Sequence, residues 1–253
     1  MKKWITIAAA LIALSGTMVF AAEPNNWNDP ETASGSVWLT TDYVFRGVSN
    51  TDEHPAAQAS LDYTFKGLYL GIWGSNTSFS DAGIEIDYYA GYAASLGKLD
   101  YDLMAVYYGY PEAQSDVPEH DYLELHLGLS YKLEGVPFEP VLGVGYNYSP
   151  DFFGEDGAGH YFNGMLDLTL PYGLVLGAEL GYQDVEGDKS TGSGLGMDGD
   201  DGFEYAHWRI SLSKEIPDWF TLDLSYHDSD DDAEDFFGKI ADSRVVFTVS
   251  RTF

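Results

Sequence analysis

Tyr122-Leu-Glu-Leu-His-Leu-Gly-Leu-Ser-Tyr131 alternates without interruption, with Leu123, Leu125, Leu127, Leu129 and Tyr131 on one parity and Tyr122, Glu124, His126 and Ser130 on the other. Residues two apart share one face of a strand, so this is a strand with an apolar side and a polar side. Its length of about ten residues is what a tilted strand needs to cross a bilayer.

The same pattern recurs along the chain in about twelve segments. Leu99, Tyr101, Leu103, Ala105 and Tyr107 oppose Asp100, Asp102, Met104 and Tyr108, and Ala206, Trp208, Ile210 and Leu212 oppose Tyr205, His207, Arg209 and Ser211. The first segment sets Val37, Leu39, Tyr43 and Phe45 against Ser36, Thr40, Asp42 and Arg46. The seventh sets Phe138, Leu142, Val144, Tyr146 and Tyr148 against Glu139, Gly143, Gly145 and Asn147. The last places Val245, Phe247, Val249 and Phe253 opposite Val246, Thr248, Ser250 and Thr252. A soluble β-sandwich also alternates, but its strands average about five or six residues and would not repeat one long apolar band so many times.

Connections alternate too. Tight ones such as Lys66-Gly67, Leu96-Gly97-Lys98 and Pro171-Tyr172-Gly173 follow the even segments. Longer ones, at 47–55, 76–83, 111–121, 149–160, 184–202 and 228–242, follow the odd segments. This predicts an all-β transmembrane antiparallel barrel of about 12 strands, with short periplasmic turns, long extracellular loops and both termini periplasmic.

Lys2 and Lys3 precede an apolar run from Trp4 to Val19 and then small residues, the pattern of a secretory signal peptide cleaved after Ala21 or Ala22. The expected division is a signal peptide at 1–21, a polar periplasmic lead-in at 22–34 and the barrel at 35–253. Cysteine is absent, so neither disulfides nor thiolate chemistry is available. The 41 Asp and Glu against 12 Lys and Arg disfavour nucleic acid as a partner. With 19 Tyr, 14 Phe and 6 Trp the chain is not a disordered acidic polymer, and such aromatics suit the two water interfaces of a membrane barrel.

Two stretches resemble the TorF family of putative porins. They are Thr40-Thr41-Asp42-Tyr43-Val44-Phe45-Arg46-Gly47-Val48-Ser49 and Gly67-Leu68-Tyr69-Leu70-Gly71-Ile72-Trp73-Gly74-Ser75-Asn76. Tyr88-Tyr89-Ala90-Gly91-Tyr92 and Tyr107-Tyr108-Gly109-Tyr110-Pro111 fit the same family. The resemblance implies an outer-membrane barrel of porin type and implies no substrate.

In a barrel the polar parity faces the lumen. The expected pore-lining set is Asp42, Arg46, Asp62, Glu85, Asp87, Asp102, Glu124, Glu139, Asp167, Glu179, Arg209 and Asp223. Acids dominate it, which favours cations; in a plugged or narrow barrel the same acids would instead fill space and pair with the arginines. Arg46 either pairs with Asp42 on the same face or contributes to a constriction. The outer acids Asp198, Asp200, Asp201, Asp230 and Asp232 are candidates for a divalent ion, but their spacing lacks the closing bidentate Glu of a calcium loop. His126, His207 and His227 lie on the lumen parity with no nucleophile elbow or paired-His motif nearby.

The functional expectation is a Gram-negative outer-membrane porin, without cofactor or catalysis, passing small hydrophilic solutes and preferring cations. The alternative is a non-conducting barrel that binds ligands or divalent cations through its acidic outer loops. Expected partners are outer-membrane lipids and the barrel-assembly machinery, the latter through Phe253.

Overall fold

The computed structural model describes residues 32–78, 82–111, 113, 120–155, 157–187 and 202–253. The expected signal peptide and Asp198, Asp200 and Asp201 lie outside these residues.

Twelve strands form a closed barrel: β1 (Thr32–Thr40), β4 (Ala56–Phe65), β5 (Leu68–Asn76), β6 (Ile84–Leu96), β7 (Leu99–Gly109), β8 (Tyr122–Lys132), β9 (Val141–Ser149), β10 (Gly159–Leu170), β11 (Leu174–Val185), β12 (Phe203–Ile216), β13 (Phe220–Ser229) and β14 (Arg244–Thr252). Each pairs antiparallel with its sequence neighbour in the barrel. β14 closes on β1 with Trp38 opposite Ser250. The Phe253 amide donates to the Gly35 carbonyl at 2.9 Å, so the chain's last residue completes the seam. Closure leaves the barrel itself without an edge strand.

The parities fall as the alternation predicts. On β14, Val245 is 64% exposed on the outer face, whereas Val246, the same residue type, is 4% exposed on the inner. Outward apolar residues ring the barrel, among them Leu61, Leu70, Leu103, Leu125, Val144 and Leu180. So large a continuous apolar surface is foreign to a water-soluble monomer and is the outer band of a membrane barrel.

The tight connections at 66–67, 97–98, 171–173 and 217–219 gather at one end together with the longer 133–140, and the connections at 41–55, 77–83, 110–121, 150–158, 186–202 and 230–243 lie at the other. Lys66 (φ 49°) and Gly67 (φ 86°) are both left-handed, as a two-residue primed turn between twisted strands requires.

Three expectations are corrected. β1 starts at Thr32, ahead of the boundary at 35, and stops at Thr40; residues 41–55 then turn into the barrel, so Tyr43 is 1% exposed inside and not on the outer face. The turn is held by Asp42, whose backbone carbonyl accepts from the Thr40 hydroxyl at 2.8 Å and whose carboxylate accepts from Ser49 at 2.6 Å and Thr51 at 2.8 Å. Second, β9 starts only at Val141, which leaves Phe138 and Glu139 in the β8–β9 turn, both with positive φ. Third, the acidic stretch after β13 is folded. It forms helix α1 (Asp231–Phe237), capped by Asp230, whose carboxylate accepts from the Ala233 amide at 3.2 Å. Asp at the cap and Asp231, Asp232 and Glu234 in the first turn complement the helix dipole.

Candidate pore and its inserted hairpin

The segment 41–55 builds a small hairpin inside the lumen from β2 (Val44–Phe45) and β3 (Val48–Ser49). Its tip is Arg46 (φ 48°) and Gly47 (φ 85°), again a primed turn. No side chain fits at the second tip position: a Cβ on Gly47 would lie 2.4 Å from the Ser229 hydroxyl and 2.6 Å from His207 Cβ. The tip therefore rests against β12 and β13, where the Ser229 hydroxyl donates to the Gly47 carbonyl at 3.2 Å.

Arg46 reaches across the lumen. Its two terminal nitrogens donate to the two Glu124 oxygens on β8 at 2.9 and 2.7 Å, and one also donates to Gln183 on β11 at 2.7 Å. The guanidinium lies 4.1 Å from the centroid of the Tyr161 ring and 4.6 Å from that of Phe45. This two-point, ring-flanked ion pair is the strongest class of charged contact available to Arg. Arg46 does not pair with Asp42, because it stands at the tip of an inward hairpin instead of following Asp42 along a wall strand. Asp42 pairs with Arg244 at 3.0 Å. Arg244, to which the sequence reading gave no role, shares the inner parity of Val246 and Thr248, and that parity was the available signal.

The hairpin packs against the β5–β8 side. Tyr43 meets Trp73 edge-on at 5.4 Å, Phe45 meets Tyr108 at 5.9 Å, and Tyr108 stacks on Tyr122 at 4.4 Å. Tyrosines also satisfy acids here: Tyr43 donates to Glu85 at 2.9 Å, Tyr69 to Asp102 at 2.7 Å, and Tyr89 to Asp62. Two inner-face glycines make room for these rings. A Cβ on Gly71 would lie 2.4 Å from the Tyr89 ring, and one on Gly91 would lie 2.4 Å from Tyr69.

The opposite side stays open. A cavity of about 140 Å³ runs along β10–β14 and β1, lined by Trp38, Asp167, Arg209, Asp223, His227 and Thr248 among others. Arg209 pairs with Asp223 at 2.9 Å. Glu179 accepts from Asn163 at 3.0 Å and from Tyr161 at 3.2 Å.

Of the residues expected inside, Asp62, Glu85, Asp87, Asp102, Glu124, Asp167, Glu179, Arg209 and Asp223 face inward from strands, and Asp42 and Arg46 do so from the hairpin. Glu139 does not. It lies in the β8–β9 turn, more than half exposed, and pairs with Lys132 at 2.9 Å. The inner histidines hydrogen-bond to Asn147, Tyr161 and Ser225. Ser225 and His227 are 3.0 Å apart, but among the described residues no carboxylate hydrogen-bonds to the His227 ring to orient it as a base. Asp230 is engaged as the α1 cap and also accepts from the Ala206 amide at 2.8 Å, while Asp232 is exposed in the first turn. Among the described residues no three His, Asp or Glu side chains gather as a metal-ligand set.

Residues 23–253 match the family described as "Bacterial protein of unknown function (Gcw_chp)". No curated protein matches the chain in sequence. Among solved structures, the KdgM porin is 10% identical with a TM-score of 0.54, the match covering 87% of this chain and 98% of that one. The COG4313 outer membrane channel from Pseudomonas putida F1 is 11% identical with a TM-score of 0.53, covering 92% and 100%. At such identities the likeness is one of fold.

Proposed function

We propose that this chain, which belongs to the bacterial family Gcw_chp, is an outer-membrane channel for passive diffusion of small hydrophilic solutes. The observation that carries the reading is the cavity, with Asp167, Arg209 and Asp223 in its lining, left open along β10–β14 beside the inserted hairpin, inside a closed barrel with an apolar outer band. A barrel kept only as a scaffold would fill that space. The likeness to porin and channel folds and the resemblance of 40–49 and 67–76 to the TorF porins favour the same reading.

Cation preference follows from charge. The inner carboxylates outnumber Arg46, Arg209 and Arg244, and all three arginines are committed to ion pairs, with Glu124, Asp223 and Asp42 respectively. A narrow path walled by acids raises the local cation concentration and excludes anions. The short turns then face the periplasm and the long loops the exterior, with the signal peptide carrying the chain across the inner membrane. Phe253, exposed at the turn end, is the residue presented to the assembly machinery.

A second reading has its own support. The Arg46–Glu124 pair and the packed β5–β8 side seal part of the lumen, as in a non-conducting barrel that binds ligands at its outer loops. Planar-bilayer recording separates the two readings.

A further inference from the structure

The inner face of β6 carries two carboxylates that do not line the open cavity. Glu85 is 1% exposed and Asp87 is 0% exposed, two residues apart on the same parity. Neither Asp87 oxygen has a donor at full hydrogen-bond geometry; its carboxylate lies against that of Glu85 and beside the Gly109 amide. Glu85 accepts from the Tyr43 hydroxyl through Oε1, while Oε2 has no partner. Among the described residues no Lys, Arg or His nitrogen forms a salt bridge with either, and Arg46 is taken by Glu124. Three sealed carboxylate oxygens without donors cost far too much to be left bare.

We propose that Glu85 and Asp87 hold one hard divalent cation, of the calcium or magnesium class, beneath the inserted hairpin. Two carboxylates match a divalent charge. One shared proton would engage two of the three bare oxygens, whereas a cation engages all of them. The surroundings offer only hard oxygen donors: the Tyr43 hydroxyl lies at Glu85, and the Tyr110 and Asn50 side chains approach the same carboxylate. The set has two carboxylates, so hydroxyl, amide and water oxygens complete the shell, as such ions accept. Tyr43 and Asn50 belong to the hairpin segment, so the ion ties that segment to the barrel wall. The site is separate from the acidic outer loops and does not depend on conductance.

The test uses the processed full chain folded in detergent, stripped with EDTA and titrated with Ca²⁺ alone by calorimetry and thermal unfolding. One bound ion is expected, with the unfolding midpoint raised by roughly 5–10 °C at a hundredfold excess over the dissociation constant. Asp87→Asn and Glu85→Gln, which keep shape and remove charge, abolish the calorimetric site and the shift, whereas Asp232→Asn keeps both. Terbium emission sensitised by the tyrosines at Glu85, displaced by Ca²⁺ and lost in Asp87→Asn, reads the site by a second signal. An unchanged response in Asp87→Asn assigns the ion to the loops and overturns the proposal. So does a wild-type chain indifferent to Ca²⁺ and stabilised by acid, which would mean a shared proton.

Discussion

Arg46 and Glu124, 78 residues apart, form a two-point ion pair at 2.9 and 2.7 Å, with both side chains 2% exposed. The pair joins the tip of the inserted hairpin to the far wall of the barrel and so sets the width of the lumen.

Removing one partner leaves the other charge buried. Arg46→Ala is expected to lower stability by about 3–5 kcal/mol, the usual result of breaking a buried pair. The double change Arg46→Met with Glu124→Leu recovers most of that loss. Urea unfolding of the folded barrel measures both. The same Arg46→Ala chain, with the hairpin released, has a larger single-channel conductance.

The open side sets selectivity. Arg209 is the cation on that wall, paired to Asp223 and close enough to Asp167 to act on it electrostatically. Arg209→Gln is expected to raise the cation-to-anion permeability ratio and Asp167→Asn to lower it. Reversal potentials under a salt gradient give the two signs, and the same sign in both variants would remove charge from the account.

The hairpin is also tied at its outer end by Lys239 and Asp52, 2.7 Å apart. The hydrogen bond from Lys239 holds the Asp52 carboxyl below its ordinary value. A depressed acid contributes stability above its unfolded pKa and loses it as pH falls through the lower folded value. The contribution is therefore complete at neutral pH, is lost only in acid, and is weakened by salt because the pair is exposed. In Lys239→Met the Asp52 titration, followed by carboxyl-carbon NMR, moves up to the ordinary carboxylate range.

Phe253 lies 69% exposed beyond β14, where its ring takes a cation–π contact from Arg251 at 5.0 Å. Phe253→Ala leaves the lumen untouched. Its expected effect is a several-fold lower yield of folded barrel in cells with unchanged single-channel conductance, read by heat-modifiable gel mobility and bilayer recording.

The barrel was legible in the sequence because its two faces meet different surroundings, so Leu123 through Tyr131 and Val245 through Phe253 state their orientation residue by residue. The hairpin was not. Tyr43 and Phe45 continue the parity of Val37 and Leu39, since β2 is itself extended, and nothing local marks the inward bend after Thr40. The stretch 40–49, which carries the clearest family resemblance, is the part that leaves the wall. Pairing across the lumen is equally hidden, because Arg46 finds Glu124 only once the strands from β4 to β8 have curved around it. Helix α1 escaped for a different reason: a run of Asp reads as solvated until Asp230 is recognised as its cap.

The central claim is that the cavity beside the hairpin conducts. Planar-bilayer recording of the refolded, processed chain under a salt gradient tests it most directly. Discrete openings with a cation-selective reversal potential are predicted; a barrel that inserts and passes no current, or one selective for anions, would contradict the account.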